Sequence, residues 1–284
     1  MSIIVTAASG HLGALIVEAL LARGAAPTEV TATSRDASKL PNFAGRGIAT
    51  AALDYSKPET VTAVVKPGDV LVLVSSDAVG QRFAQHSAVI TAAKEAGISR
   101  VVYTSAPHAT TSALILAPEH KATEEFIVAS GVPYTFLRNG WYTENYAGEV
   151  AKGRVSGEIT ASVGDGRVAS ASRKDYAEAA AVAALDDSLA GRTFELSGDY
   201  AWNWDELATA VCDIAGTSVT YRALTPEQHT EMLKVAGLDD GTIGFIVALD
   251  GNIRDGLLAE TSGDLNRLIG HPTEPLVEGL SAAQ

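Results

Sequence analysis

Near its start the chain reads Ile3-Ile4-Val5-Thr6-Ala7-Ala8-Ser9-Gly10-His11-Leu12-Gly13: an apolar β-branched run, a turn of small residues, then a helical pattern at 11–23. The run lacks a basic leader and breaks at a glycine-containing turn, so it is expected to be a buried strand rather than a secretory segment. Gly10 lets the backbone approach an anion closely, and Gly13 lets the helix pack tightly on the strand. Amide N–H groups without intrahelical partners at the helix start would hold the anion. Two glycines after a strand are a weak signal alone. What gives them weight is the series that follows.

Short β-branched runs at 3–6, 30–34, 48–53, 70–75, 101–105 and 134–137 alternate with helical patterns at 11–23, 58–65, 81–96 and 118–130. Gly24, Gly97 and Gly131 stand where helices stop, as left-handed C-caps favour. Such alternation predicts a Rossmann-type doubly wound α/β fold, a parallel sheet covered by helices on both faces. The run Asp69-Val70-Leu71-Val72-Leu73-Val74-Ser75 is continuously apolar between its ends and is expected at the sheet centre. Residues 1–150 are expected to form the dinucleotide-binding domain. Residues 151–284 are expected to form a smaller α/β cap, with some segments returning to the sheet. In that half, Gly164-Asp165-Gly166 signals a turn between extended runs in 155–169. An alanine-rich helix at 174–185, a strand at 192–197, a helix at 204–215, a strand at 218–223 and helices after Pro226 follow.

With 284 residues, 46% of them hydrophobic and 19% charged, the chain can bury a large core without disulfides or a structural metal. A net charge of −13 opposes a phosphate-tracking surface, so no nucleic-acid partner is expected. Cys212, the single cysteine, lies in an apolar stretch and reads as a small buried hydrophobe; the absence of a disulfide framework suits a cytoplasmic location. No apolar run approaches the roughly 20 residues that span a bilayer, so no membrane span is expected.

Ligands of open α/β sheets bind beyond the carboxyl ends of the strands, and the end of the second strand meets the adenosine ribose. That strand ends Thr33-Ser34-Arg35. A guanidinium there pairs with a 2′-phosphate, favouring NADP(H) over NAD, although a solvated surface arginine is the plainer alternative and neighbouring Asp36 leaves room for dual use. Asp54 and Tyr55 end the third strand, suited either to adenine or to capping a turn. Ser75, Ser76 and Asp77 end the fourth, near the nicotinamide ribose, where their hydroxyls would bond the cofactor or cap the next helix.

Three longer segments carry a more specific signal: Ser75-Ser76-Asp77-Ala78-Val79-Gly80-Gln81-Arg82, Leu137-Arg138-Asn139-Gly140-Trp141-Tyr142-Thr143-Glu144-Asn145-Tyr146 and Gly164-Asp165-Gly166-Arg167-Val168-Ala169-Ser170-Ala171. On these, over almost its whole length, the chain resembles the NmrA-like group of atypical short-chain dehydrogenase/reductases, and within it the bacterial NAD(P)H:quinone oxidoreductases of type 2. The turn Thr6 to Gly13 and Asp54 are read as cofactor-binding from their places at the strand ends; the resemblance implies that Ala7, Ala8, Ser9, Gly10, His11 and Leu12 line the pyrophosphate, that Arg35 meets the adenosine phosphate and that Ser75, Ser76 and Asp77 flank the cofactor. It also implies that Asn139, Gly140, Trp141, Tyr142, Thr143, Glu144 and Arg173 face the cofactor or substrate cleft. Two departures stand out. Ala7 occupies the place of the family's first glycine, where a methyl group is tolerated if the backbone angle is negative. Ala106-Pro107 replaces apolar leucines in the pocket wall.

The Tyr-x-x-x-Lys pair with which ordinary short-chain dehydrogenases protonate a carbonyl is missing at the end of the fifth strand. His120 stands where relatives carry a lysine or histidine, as a nicotinamide-positioning group or proton donor, or as an ordinary helix-surface histidine. A quinone accepts hydride more readily than a ketone, so alignment and one or two donors to the developing oxyanion suffice. Asn139 is the candidate donor, Tyr142 and Trp141 the flat walls, and His108 or water the proton source; the alternative for Asn139 is a cap at the strand exit. One dinucleotide turn rather than two calls for no flavin, and no metal is called for. The expected function is NADPH-dependent hydride transfer to a small-molecule quinone, with a homodimer left open. Two other functions are kept: a non-catalytic NADP-binding redox sensor of the NmrA type, and a reductase of an enone or aldehyde.

Overall fold

The computed structural model describes residues 2–284. Strands β1 (Ile3–Val5), β2 (Val30–Ser34), β3 (Ala49–Ala52), β4 (Val70–Leu73), β5 (Arg100–Ser105) and β6 (Tyr134–Asn139) alternate with helices α1 (His11–Ala22), α2 (Pro41–Ala44), α3 (Pro58–Val64), α4 (Arg82–Glu95) and α5 (Ala117–Ser130). Then come β7 (Trp141–Tyr142), α6 (Ala147–Ser156), β8 (Glu158–Ala161), β9 (Ser170–Ala171), α7 (Arg173–Leu185), β10 (Thr193–Leu196) and α8 (Trp204–Ala215). The chain closes with β11 (Thr220–Ala223), α9 (Pro226–Val235), α10 (Asp240–Arg254), α11 (Asp264–Ile269) and α12 (Leu276–Ala282).

The central sheet has seven strands in the order β10-β6-β5-β4-β1-β2-β3, all paired in parallel. This is the Rossmann-type arrangement expected from the alternation. β4, fully buried, is the middle strand. The chain leaves β1 for β2 on one side and returns from β3 to β4 on the other, so the order reverses between β1 and β4. A crevice must open there beyond the carboxyl ends.

One face of the sheet is covered by α1 and α7, the other by α3, α4 and α5. Helix α7 buries Ala177, Ala179, Ala180, Ala181, Ala183 and Ala184, and these small side chains let it lie close against both α1 and the sheet. Its start is fixed by Ser172, whose hydroxyl accepts from the Asp175 N–H at 3.2 Å. Gly24, Gly97 and Gly131, which end helical patterns, have φ of 96°, 81° and 75°, the left-handed region open to glycine.

A second core lies beside the carboxyl edge of the sheet, built on Trp202, Trp204, Leu207, Val211, Ile159, Val163, Ile253 and Leu280. Asn203 and Glu206 cap α8 reciprocally. Helix α6 has no counterpart among the elements expected from the sequence; only its last two residues overlap the extended run expected from 155. The turn expected at 164–166 exists, with Gly166 N–H donating to Val163 O at 3.0 Å, but it does not join a hairpin. Its flanks pair elsewhere and in parallel, β8 with β11 and β9 with β7. The C-terminal turn of α10 packs beside this turn: a Cβ on Gly166 would lie 2.6 Å from Ile253 O.

Candidate functional site

The turn after β1 is built around Ala7. Its φ is +51°, so the departure from glycine is accommodated in the left-handed region and not at a negative angle. The Ala7 carbonyl accepts from Gly10 N–H at 2.9 Å and lies over the start of α1, where a Cβ on Gly13 would come within 2.3 Å of that oxygen. Gly13 is therefore required by close approach of backbone to backbone. Ala8 N–H is tied to Thr33 O at 2.7 Å, which fixes the turn to β2. Helix α1 has no side-chain cap at Gly10 and no acidic residue in its first turn, so its positive end faces the crevice uncompensated.

A cavity of about 470 Å³ fills this crevice, lined by Ala7, Ser9, Gly10, His11, Leu12, Gly13, Arg35, Asp54, Tyr55, Ser75, Ser76, Asp77 and Arg173, among others. A second cavity of about 250 Å³ adjoins it; Leu12, Val74, Ser75, Ser76 and Asp77 line both. The second is walled by Arg82, Ser105, Ala106, Pro107, Leu114, Leu116, His120, Asn139, Gly140, Trp141 and Tyr142. Thus residues from the ends of β1, β2, β4, β5 and β6 meet at one continuous site.

Several expected residues spend their polar groups on the fold itself, whether they line the cavity, as Asp54 and Tyr55 do, or stand behind it. Thr6 is buried in the sheet: its hydroxyl donates to Val72 O at 3.1 Å and accepts from Val74 N–H at 2.9 Å. Tyr55 spends its hydroxyl on the same strand ends, 2.5 Å from Thr6 Oγ1 and 2.7 Å from Val74 O. Asp54 caps its own turn, accepting from Ser56 N–H at 2.9 Å. Ala8 is buried under the turn. Thr143, assigned to the cleft, instead shares a 2.8 Å hydrogen bond with Ser170 in the interior, which fastens the segment after β7 to β9. Glu144 acts one step back: its carboxylate accepts from Arg173 N–H at 2.8 Å and lies 3.6 Å from the guanidinium. That guanidinium stacks over the Tyr142 ring at 4.7 Å, joining the two cavity walls.

Arg35 is exposed at the cavity, and no ion pair holds it among the described residues. Asp36 is engaged within its own turn. Its carboxylate accepts from Ser38 N–H at 3.0 Å and Ser38 Oγ at 2.7 Å, capping a short turn. The Ser76 hydroxyl donates to Gln85 at 2.5 Å and accepts from Ala78 N–H at 3.1 Å, so it secures its own loop.

Asn139 ends β6, two residues beyond the strand expected from the sequence. Its Nδ2 is 3.4 Å from Tyr142 Oη, and its Oδ1 is buried with no partner. Burial raises the Tyr142 phenol, so Tyr142 stays protonated. His120 is 5% exposed, not a surface histidine. Its Nδ1 is 2.8 Å from Tyr103 Oη, and burial, with Arg82 and His86 nearby, depresses its imidazolium to about 3. His120 is neutral near pH 7. His108 lies outside this wall, held by Glu195 and Glu260, with Nε2 2.7 Å from the latter. It is therefore no proton source for the second cavity.

Arg82, to which sequence reasoning gave no role, is the buried cation of the site. A helix-start arginine looks solvent-exposed in sequence; only the fold shows it 6% exposed and turned into the second cavity. Cys212 is half-buried, with Sγ accepting from Val219 N–H at 3.0 Å. No group of three or more His, Cys, Asp or Glu positioned to hold a metal occurs among the described residues. No helix among them is long and apolar enough to cross a membrane.

A turn with an uncapped helix end, a crevice where strand order reverses and an adjoining walled cavity define a dinucleotide-dependent oxidoreductase site. The model of the NAD(P)H-binding family matches residues 7–188, and the chain belongs to that family. Over 279 residues it is 39% identical to quinone oxidoreductase 2 of Escherichia coli, covering 98% of this chain and 97% of that protein. The crystal structure of the E. coli NADPH-dependent quinone oxidoreductase complexed with NADPH matches with a TM-score of 0.94 at 39% identity, over 99% of each chain. A Citrobacter sp. triphenylmethane reductase complexed with NADP(H) matches with a TM-score of 0.93 at 31% identity, over 100% of each chain.

Proposed function

We propose that this chain is an NADPH-dependent oxidoreductase that passes hydride directly to a quinone, without flavin. The observation that carries the proposal is the shared wall. Leu12, Val74, Ser75, Ser76 and Asp77 line both the dinucleotide crevice and the second cavity, so a cofactor in one and a planar acceptor in the other would touch. Residues 1–150 supply the cofactor side. Residues 151–284 supply the cap, apart from α7, β10 and α11, which join the cofactor-binding layers.

The residues present fit NADPH. The α1 N–H groups would hold its pyrophosphate, Arg35 its 2′-phosphate and Arg173 the rim between the cavities. When bound, NADPH supplies a hydride that, with a solvent proton, converts quinone to hydroquinone and leaves NADP+. The chain's own task is alignment and charge stabilisation. Trp141 and Tyr142 present flat faces to a planar ring. Asn139 lines the acceptor cavity, and its Nδ2 spends only a long 3.4 Å contact on Tyr142 Oη, so the amide would donate to the acceptor oxygen. Neutral His120 would donate only a hydrogen bond, and water would complete protonation.

NADPH oxidation measured side by side with benzoquinones, naphthoquinones, simple enones and aldehydes tests the proposal. Quinones should be turned over in preference. Equal or better turnover of enones or aldehydes would move the acceptor class, and turnover of none would favour a redox sensor.

A further inference from the structure

The second cavity contains a charge that quinone alignment does not use. Arg82 begins α4, yet it is 94% buried by the folding of the 75–81 loop across it. Its Nε donates to Ser76 O at 2.6 Å. Its Nη1 is buried and makes no hydrogen bond, the nearest carboxylate oxygen, Glu119 Oε2, being 3.6 Å away. That same Oε2 accepts from Gly80 N–H at 3.1 Å, so Glu119 is shared between the loop and a long ion pair with the guanidinium. An arginine taken out of water normally has its donors satisfied, because an unpaired buried charge is strongly unfavourable. Here the Arg82 side chain lines a cavity whose other polar walls are uncharged: Ser105, His120, Asn139 and Tyr142. Asp77, at the shared rim, is solvent-exposed, so its charge is screened far more than that of Arg82.

We propose that the second cavity is a site for an aryl oxyanion, with Arg82 as its counter-charge and Asn139 as the second donor. Two species share this chemistry: an acceptor that already carries an ionised oxygen beside its quinone carbonyl, such as a hydroxynaphthoquinone anion, and the phenolate formed when a neutral quinone takes hydride. The acceptor's identity as a quinone rests on the proposed function above. The oxyanion site itself does not, since it follows from a buried cation short of acceptors. On this account Arg82 is a catalytic and specificity-determining residue, and acceptors with an acidic hydroxyl on the ring are preferred over their neutral ethers.

The test compares binding of hydroxynaphthoquinone, as its anion at neutral pH, with binding of its neutral methyl ether, by titration of the NADP+-loaded protein. Wild type should favour the anion by about tenfold to a hundredfold, the scale of one charge-assisted hydrogen bond. Arg82→Gln should abolish that preference. Arg82→Lys keeps the charge but loses the Nε bond to Ser76, and should keep most of it. Glu119→Gln retains an acceptor for Gly80 N–H, removes the competing carboxylate and should sharpen the preference several-fold. NADPH affinity, measured separately, should change less than threefold in Arg82→Lys and Glu119→Gln. Absence of anion preference in wild type, or unchanged preference in Arg82→Gln, overturns the proposal; so does equal loss in Gln and Lys variants accompanied by lost NADPH binding, which marks Arg82 as a loop fastener. Turnover of neutral benzoquinone by wild type separates the two levels: if it proceeds without anion preference, the oxyanion site fails and the quinone-reductase function stands. If no quinone is reduced while the Arg82-dependent preference persists, the reverse holds.

Discussion

Replacing Ala7 by glycine should make the protein more stable, an unusual direction for a substitution in a ligand-binding turn. Ala7 sits at φ +51°, where a Cβ crowds the following carbonyl at a cost of about 1–2 kcal/mol. Glycine removes that strain but adds conformational freedom to the unfolded chain worth about 0.5–1 kcal/mol. The net gain expected is about 0.5–1 kcal/mol. In a chain of this size that is on the order of 1–3 °C in melting temperature. Because the Ala7 backbone is already held by Gly10 N–H and by contact with Gly13, the turn keeps its shape and NADPH binds at least as tightly. The assay is denaturant unfolding of both proteins with and without saturating NADPH. Ala8→Gly is the control: Ala8 has no positive φ and is buried, so it should lose about 1–2 kcal/mol from added chain freedom and the missing methyl burial. Loss of stability or weaker NADPH binding in Ala7→Gly would refute the reasoning, because the methyl group would then be packing favourably.

Gly13→Ala places a Cβ 2.3 Å from Ala7 O, so the turn must move; loss of about 1–3 kcal/mol and of cofactor binding should follow in the same unfolding and titration experiments. Arg35→Ala should weaken NADPH binding by about 1.5–3 kcal/mol and leave NADH nearly unchanged, as read by fluorescence titration of each cofactor. Asn139→Ala should lower quinone turnover about tenfold to a thousandfold with little change in NADPH affinity, whereas His120→Ala should cost less. His86 and His120 have imidazolium forms pushed down to about 3 by burial, so the unfolded chain binds protons that the native state refuses. Stability contributed by the neutral pair is full above pH 6.5 and should fall as pH drops towards 3, by about 1.4 kcal/mol per pH unit for each histidine. Unfolding curves at pH 7, 6 and 5 check this, and His86→Gln or His120→Gln should flatten the slope.

The fold was legible where the chain obeys one repeated rule. From β1 to β6 short extended runs, apolar at β1 and β4, alternate with helices whose larger members end near a glycine, so the parallel sheet and its buried centre could be read directly. Legibility ended where elements pair with distant partners. Nothing in 155–171 signals that β8 finds β11 and β9 finds β7, because those partners lie far along the chain or across an intervening helix. At the site, residues that line a cavity by backbone approach, such as Gly10 and Gly13, were visible as residue types. Thr143 was misplaced because its neighbours Trp141 and Tyr142 do face the cavity, and which way a side chain turns in a short irregular segment depends on Ser170, 27 residues later. Arg82 was missed for the opposite reason: its segment was visible, but burial of an arginine depends on the loop that folds over it.

The central claim is direct hydride transfer across the shared wall between the two cavities. Protein stripped of nucleotides and verified free of flavin, mixed with NADPH deuterated at the transferred position and an excess of a naphthoquinone, tests it in a single turnover. The account predicts loss of reduced nicotinamide in one phase, slowed by a primary isotope effect. Absence of turnover in the stripped protein, or turnover restored only by added flavin, would contradict it.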